Sequence, residues 1–191
     1  PAHYPYPASS TWAFMPDYDQ KKPLWILRQT VTDPLGNYGD TSSSFTSQPN
    51  DYARASRTFT YFTQLIDQAL FQQTGQTGFA LVGLENSMNE EFQKSYTEQL
   101  NYIAKLTEEG RAAVVFADSV PDTYATQKVS IYGGHNLVTG DTNSSSYFIT
   151  TPRYRIRLRI EKNSVFISDI RVYTPQAQDY YTAHTAVKHS Y

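Results

Sequence analysis

The chain of 191 residues fits one ordinary domain, with or without a small appendage. Its 16 basic and 18 acidic residues give a formal net charge of −2, which disfavours a nucleic-acid-binding domain because such domains are normally basic. No apolar run approaches the ~20 residues that span a bilayer, and the absence of cysteine excludes disulfides, zinc–thiolate sites and cysteine nucleophiles.

Residues 1–23 are predicted to form an extended arm or covering loop. Prolines recur throughout this segment and exclude a helix. The apolar run Leu24 to Val31 follows and is predicted to be a buried strand. Residues 32–52 then form a long polar stretch rich in turn residues. Loops of this length in compact domains are usually functional or disordered, and the aromatic residues of this one favour an ordered loop.

Two helices are predicted in the middle of the chain. Apolar residues at helical spacing indicate the first helix from Ser56 to about Gln73. The second helix is predicted to begin at a capping box, in which Ser87 and Glu90 each bond to the backbone N–H of the other. Gly110 is predicted to end it. Its apolar stripe is interpreted as core packing rather than as a surface for a partner helix.

Strands are predicted on either side of the second helix. Phe79 to Leu84 and Ala112 to Ala117 are continuous apolar runs, which are typical of buried parallel strands. Residues 24–127 therefore alternate strand, helix, strand, helix and strand. We predict an α/β fold in which these strands form a parallel sheet, either open or part of a (β/α) barrel.

Residues 128–175 are predicted to be an antiparallel β unit, with residues 176–191 as a polar tail. Arg153 to Glu161 alternates arginine with apolar residues, so the arginines share one face. Lys162-Asn163 is predicted to be a hairpin turn into the next strand. The arginine face could bind phosphate, sulfate or acidic sugars. Alternatively, the arginine stems cover apolar surface and their guanidinium groups pair with carboxylates.

Carboxylates follow each predicted parallel strand. Asp33 and Asp40 follow the first strand, Glu85 and Asn86 follow the second, and Asp118 follows the third. Ligands gather at the carboxyl ends of parallel strands, so we expect these side chains at one rim. Two carboxylates in one cleft can share acid and base roles, as glycoside hydrolysis requires. The alternative is that each one organises a turn or accepts hydrogen bonds from loop amides.

Other side chains are predicted to bind substrate. His135 and Asn136 follow two glycines that allow a close backbone approach, although this segment could equally be a simple turn. Tyr38 and Trp25 are candidates for stacking on sugars, with ordinary packing as the alternative. The spacing of the histidines does not fit a metal site, and no cofactor is predicted.

The run from Phe79 to Tyr124 resembles the closing segment of the polysaccharide deacetylase-like barrels and their relatives among the glycoside hydrolases. The segment Leu24 to Tyr52 resembles the preceding strand with its long active-site loop. The resemblance implies a seven-stranded (β/α) barrel of which this chain is the carboxyl-terminal part, with the early strands in a missing amino-terminal segment. It places Glu85 where the glycosidase relatives have an acidic catalytic residue. The metal-binding Asp and two His of the deacetylases have no counterpart here.

Three hypotheses about function remain open. The first is a carbohydrate-active domain acting on polysaccharide or oligosaccharide, with Glu85 within roughly 5–10 Å of a second carboxylate, Asp33 or Asp40. The second is a glycan-binding module, in which Glu85 would be held by backbone amides or by an arginine such as Arg28. The third is a structural or assembly module, which predicts an uncovered edge strand and an apolar patch. The many Tyr, Ser and Thr residues favour an extracellular or cell-envelope location.

Overall fold

The structure is a computed structural model that describes residues 4–36, 45–85, 89–126, 129–138, 140–174 and 176. Its elements are, in chain order, β1 (Tyr6–Pro7), β2 (Trp25–Ile26), α1 (Pro49–Tyr52), α2 (Phe59–Phe71), α3 (Glu90–Glu108), a 3-10 turn (Ala117–Ser119), α4 (Val120–Tyr124), β3 (Ser130–His135), β4 (Ser144–Thr150), β5 (Tyr154–Glu161) and β6 (Ser164–Val172). No helix within these ranges is long and apolar enough to cross a membrane.

Helix α2 forms where the apolar periodicity predicts it. Phe62, Leu65 and Ile66 are buried together with Ala69, because positions three and four apart share one face of a helix. The helix begins three residues later than predicted. Ser56 has a φ of 57°, a left-handed conformation in which an α-helix cannot start.

Helix α3 begins at Glu90 after a different N-cap from the one predicted. The side chain of Asn89 accepts a hydrogen bond from the N–H of Glu91 at 2.8 Å, which is a preferred N-cap arrangement. The prediction that Ser87 caps the helix is therefore wrong, and Ser87 itself lies outside the described residues. The predicted end is confirmed, since Gly110 follows the last turn with a φ of 67°.

Strands β3 to β6 form an antiparallel sheet in the order β3–β4–β5–β6. The predicted hairpin turn at Lys162 and Asn163 is confirmed, because Glu161 pairs with Ser164 on either side of it. Lys162 has a φ of 53°, and the favoured two-residue hairpin turns require such positive values. The inner face of this sheet packs against α2.

The main core lies between the helices and the inner face of the sheet. It combines apolar and aromatic side chains from α1, α2, α3, β3, β4 and two connecting segments, namely Val31, Tyr52, Tyr61, Phe62, Leu65, Ile66, Ala69, Leu106, Tyr132, Leu137 and Phe148. Aromatic rings fill much of it. The chain therefore uses its high aromatic content to bury a large area with few residues.

The amino-terminal arm covers a second, smaller cluster. Strand β1 pairs antiparallel with β2, and Tyr4 and Tyr6 are buried against Val120 and Tyr124. The rings of Tyr4 and Tyr124 stack with their centroids 6.3 Å apart. The arm is thus fixed by aromatic packing as well as by strand pairing.

The predicted parallel unit over residues 24–127 is wrong, and so is the barrel. Both sheets among the described residues are antiparallel. Of the run Leu24 to Val31, only Trp25–Ile26 forms a strand, and its partner is the arm. Phe79 to Leu84 and Ala112 to Phe116 form neither helix nor strand. The helices on either side therefore connect no parallel strands.

Burial explains why the apolar run after α3 is not a sheet strand. A buried parallel strand is covered on both faces, yet Val114 is 75% exposed and Phe116 is 86% exposed. An apolar run does not specify what covers it, so its pattern cannot separate a buried strand from an exposed extended segment. Short uncharged segments of high β-propensity such as this one can also pair as strands with other chains when they are exposed.

The two adjacent glycines lie within β3, so the alternative of a simple turn there is wrong. A Cβ atom on Gly133 would lie 2.0 Å from the backbone carbonyl oxygen of Ser146 in β4. A Cβ atom on Gly134 would lie 2.0 Å from Nε2 of Gln68 in α2. The close approach predicted from the glycine pair is confirmed at both positions.

We expect Gly133→Ala to lower the free energy of unfolding by about 2 kcal/mol, and Gly134→Ala by about 1 kcal/mol. The added methyl at Gly133 meets the β4 backbone, which cannot move without breaking strand pairing. The methyl at Gly134 meets the end of a flexible side chain. Urea unfolding of both variants, followed by circular dichroism, checks this order. A larger loss for Gly134→Ala would contradict it.

Candidate functional site

Asp33 is buried at the entrance to the loop that precedes α1. Its Oδ1 accepts hydrogen bonds from the backbone N–H groups of Leu35 (2.9 Å) and Gly36 (3.0 Å). Its Oδ2 accepts a hydrogen bond from the hydroxyl of Tyr61 in α2 at 3.2 Å. These contacts make Asp33 the organiser of a turn, which is the alternative to a catalytic role.

Two buried tyrosines flank this turn. Tyr61 donates to Asp33, and Tyr132 in β3 donates to the backbone carbonyl of Thr32 at 2.8 Å. Burial raises the pKa of both phenols, and the negative charge of Asp33 raises each pKa further. Both hydroxyls therefore stay protonated at neutral pH and serve as hydrogen-bond donors rather than as bases.

Arg157 in β5 holds the same turn from the sheet. Its buried side chain donates from Nη2 to the carbonyl of Pro34 at 2.8 Å and from Nε to Oγ of Ser146 at 2.8 Å. The guanidinium also lies 5.5 Å from the centroid of the Phe148 ring. The inner face of the sheet therefore anchors the loop entrance with a cation whose donors are used inside the fold.

The neighbouring arginines of β5 are also engaged within the fold. Arg155 is buried and pairs with Asp169 in β6, with Nε 3.1 Å from Oδ2. Arg159 pairs with Glu161. The hypothesis that these arginines form a surface patch for phosphate or acidic sugars is wrong for Arg155 and Arg157, which are buried. The alternative, pairing with carboxylates, is confirmed for Arg155 and Arg159. Arg157 instead donates to backbone carbonyls and to Ser146.

Glu85 is exposed and forms no hydrogen bond or ion pair with another described residue. The arginine pairing expected of a non-catalytic Glu85 is therefore not seen in the described part of the chain. Asp40, Tyr38 and Asn86 lie outside the described residues. The described residues form no parallel sheet, so they do not form the rim expected to join Glu85 with Asp33.

The remaining predicted binding residues belong to separate parts of the fold. His135 ends β3 opposite Ser145. The side chain of Asn136 accepts a hydrogen bond from the N–H of Val138 at 2.9 Å, so it shapes the connection to β4. Trp25 is half-buried against the cluster under the amino-terminal arm. Packing and turn formation account for the observed contacts of Asn136 and Trp25.

A small pocket lies between α2, β3 and the extended segments, lined in part by Arg28, Val31, Ala69, Phe79 and Tyr132. Its volume is about 10 Å³, which is room for one water molecule. Pockets for small ligands usually measure roughly 300–1,000 Å³, so this one does not accommodate a sugar. The described residues contain no group of three or more His, Asp or Glu that could hold a metal ion.

The outer face of the carboxyl-terminal sheet is apolar across all four strands. Residues in register form two neighbouring rows from β3 to β6. One row is Ile131, Ile149, Ile156 and Ile170, and the other is Gly133, Tyr147, Leu158 and Ile167. Ile170 is 61% exposed and Val172 is 66% exposed. The strand and residue spacings give this face a few hundred Å², which is the size of patches that often have a function.

The two edges of this sheet differ. At the β3 edge, Ile131 exchanges both backbone hydrogen bonds with Thr74, at 2.8 and 3.0 Å. At the other edge, no strand pairs with β6 within the described ranges. Val165, Phe166 and Ile167 are exposed along it. An uncovered, apolar edge strand is a template for pairing with another chain.

This apolar face and open edge are the features expected of a structural or assembly module, although the sequence does not identify the residues that form them. The signal was present in the alternation of Arg153 to Glu161, which places apolar side chains opposite the arginines. The sequence does not indicate that this apolar side stays exposed among the described residues, as it does at Ile167 (62%) and Ile170 (61%). Comparisons of the chain with protein-family models, curated proteins and solved structures give no match.

Proposed function

We propose that this protein is a non-catalytic structural or assembly module that binds another protein surface through its carboxyl-terminal sheet. The observation that supports this most directly is the row of four isoleucines on the outer face, next to the open edge strand β6. Burial of apolar surface releases roughly 25 cal/mol per Å². A face of this size therefore gains several kcal/mol when a partner covers it.

The side chains on this face favour a protein partner over a sugar. Sugar sites need polar groups that converge on hydroxyls, besides aromatic rings for stacking. The outer face instead offers branched aliphatic side chains on a pleated surface, for example Ile156, Leu158 and Ile170. Such faces pack against other apolar layers in β-sandwiches and in protein interfaces.

A carbohydrate-active domain is the alternative function, and it rests on the sequence alone. It would need a carboxylate pair in an open cleft, whereas Asp33 is bonded into a turn. Glu85 is exposed and could still act with a residue outside the described ranges. The extracellular or cell-envelope location also stays a prediction from composition.

The test is to replace exposed valines of the outer face with threonine, which keeps their shape and strand propensity. We expect the double variant Val165→Thr/Val172→Thr to bind an environment-sensitive apolar dye at least about two-fold more weakly than the native chain. Its free energy of unfolding should change by less than about 0.5 kcal/mol, as for other surface positions. Dye titration and urea unfolding measure the two quantities.

Val114→Thr is the matched control, because Val114 is at least as exposed but lies outside the sheet. Equal loss of dye binding in this control would mean that the sheet face is not the apolar site. A native chain that binds no dye, together with a double variant destabilised by about 2 kcal/mol or more, would contradict the proposal. That result would mean that the chain covers the face itself.

A further inference from the structure

The charge pattern of β6 is self-complementary, and we infer that this edge pairs antiparallel with β6 of a second copy of the chain. The two strands meet about a two-fold axis at Ile170. In this register Asp169 of each copy lies opposite Arg171 of the other. The inference rests on the proposed assembly function and names a second copy as the partner of its open edge.

The backbone of β6 presents the correct groups at the axis. The N–H of Tyr173 donates to the carbonyl of Arg153 at 2.7 Å, so it points toward β5. Successive residues of a strand point their backbone groups to opposite sides. Arg171 therefore also faces β5, while Ile170 and Val172 turn their N–H and C=O groups to the open edge. Two Ile170 residues can then exchange both backbone hydrogen bonds across the axis.

Arg171 carries the positive charge that a carboxylate of a second copy would neutralise. It lies directly opposite Arg155 across the β5–β6 pair, and like charges at such positions repel. Asp169, one pleat away on the same face, pairs with the buried Arg155. Arg171 forms no ion pair with any other residue in the described ranges. A carboxylate placed beside it on the open side would balance this group of charges.

Only the register centred on Ile170 supplies that carboxylate. A two-fold axis at Asp169 or at Arg171 would place two like charges opposite each other. Either axis would also pass beside residues whose N–H and C=O groups point toward β5, so they could not bond to the second copy. An axis at Val172 has the correct backbone direction, but it moves Asp169 away from Arg171. The axis at Ile170 forms two Asp169–Arg171 pairs and retains the backbone hydrogen bonds.

The same register joins the outer faces of the two copies. Ile170 of one copy meets Ile170 of the other, so the isoleucine row becomes continuous across eight strands. Edge pairing buries less area than a standard interface of roughly 800 Å² per partner. We therefore expect a dimer that forms as the concentration rises through the micromolar range, rather than a permanent one.

The register can be tested by cross-linking, because the chain contains no cysteine. In the inferred dimer the two Ile170 Cα atoms lie about 5.5 Å apart, within the range that a disulfide spans. The two Ile167 Cα atoms would lie about 20 Å apart. Ile170→Cys should therefore form a disulfide-linked dimer on the order of ten-fold faster than Ile167→Cys, which is equally exposed.

Charge reversal tests the ion pairs without relying on cysteine chemistry. We expect Arg171→Asp to raise the dimer dissociation constant on the order of ten-fold, as measured by sedimentation. Arg153→Asp is the matched control, since this exposed arginine precedes β5 and lies outside the inferred interface; it should leave the constant unchanged. Equal effects of the two variants would overturn the assigned register.

The outcomes separate this inference from the proposed function. Two results would overturn the pairing of β6 between two copies in this register. One is a chain that stays monomeric at high micromolar concentration, and the other is cross-linking as fast through Ile167→Cys as through Ile170→Cys. If the dye test on Val165 and Val172 then still succeeds, the assembly function stands with a different partner. If both tests fail, both proposals are wrong.

Discussion

Replacing Asp169 with asparagine should lower the free energy of unfolding by about 3 kcal/mol, measured on dilute, monomeric protein. The substitution keeps the shape of the side chain but removes the countercharge of Arg155. The Arg155 side chain is 1% exposed, and water cannot solvate a guanidinium at that position. Its desolvation cost then remains without the attraction that offsets it. Urea unfolding followed by circular dichroism gives the value.

Two further variants isolate the buried charge as the cause. Arg155→Met removes the cation itself, and Asp169 is exposed enough, at 19%, to regain hydration. We therefore expect Arg155→Met to cost less than Asp169→Asn. Glu161→Gln breaks the exposed pair with Arg159 and should cost less than about 1 kcal/mol. The explanation fails if Arg155→Met proves the more destabilising of the first two.

The sequence best predicts the elements that nearby residues specify. Helix α2 follows from the spacing of Phe62, Leu65 and Ile66, because one face of a helix must be buried. The β5–β6 hairpin follows from alternation and a two-residue turn at Lys162. The end of α3 follows from Gly110, whose positive φ costs glycine little. Each of these signals lies within a few residues of the structure that it specifies.

Strand partners could not be predicted in the same way. Ala112 to Phe116 and Phe79 to Leu84 have the composition of buried strands, yet neither is paired in a sheet. Trp25–Ile26 is a strand, but it pairs with the amino-terminal arm instead of with a parallel neighbour. Pairing depends on residues far away in the chain, and composition carries no information about them.

The candidate site shows the same limit. Asp33 was predicted both as a catalytic carboxylate and as a turn organiser, and the sequence alone could not decide between the two. The contacts that fix this turn come from Tyr61, 28 residues away, and from Arg157, which donates to the carbonyl of Pro34. The apolar outer face likewise follows from the sequences of β5 and β6, but its exposure depends on how distant segments of the chain pack.

Phe62 occupies the point where the helices and the sheet share one core. It is fully buried in α2, its ring lies 5.8 Å from that of Phe59, and it makes an edge contact with Tyr102 of α3 at 6.2 Å. Both distances fall in the favourable range for aromatic pairs. Removal of this ring leaves a cavity that the surrounding helices cannot fill without losing their own contacts.

Phe62→Ala should therefore lower the free energy of unfolding by about 4 kcal/mol, the largest loss expected of any single substitution proposed for this chain. Phe71→Ala in the same helix is the matched control, because Phe71 is 40% exposed and its ring centroid lies 4.6 Å from the guanidinium carbon of Arg111. That contact is worth about 1 kcal/mol or less at an exposed site. Urea unfolding of both variants measures the difference. Similar losses would mean that α2 does not bury Phe62, and that the helix and sheet do not share this core.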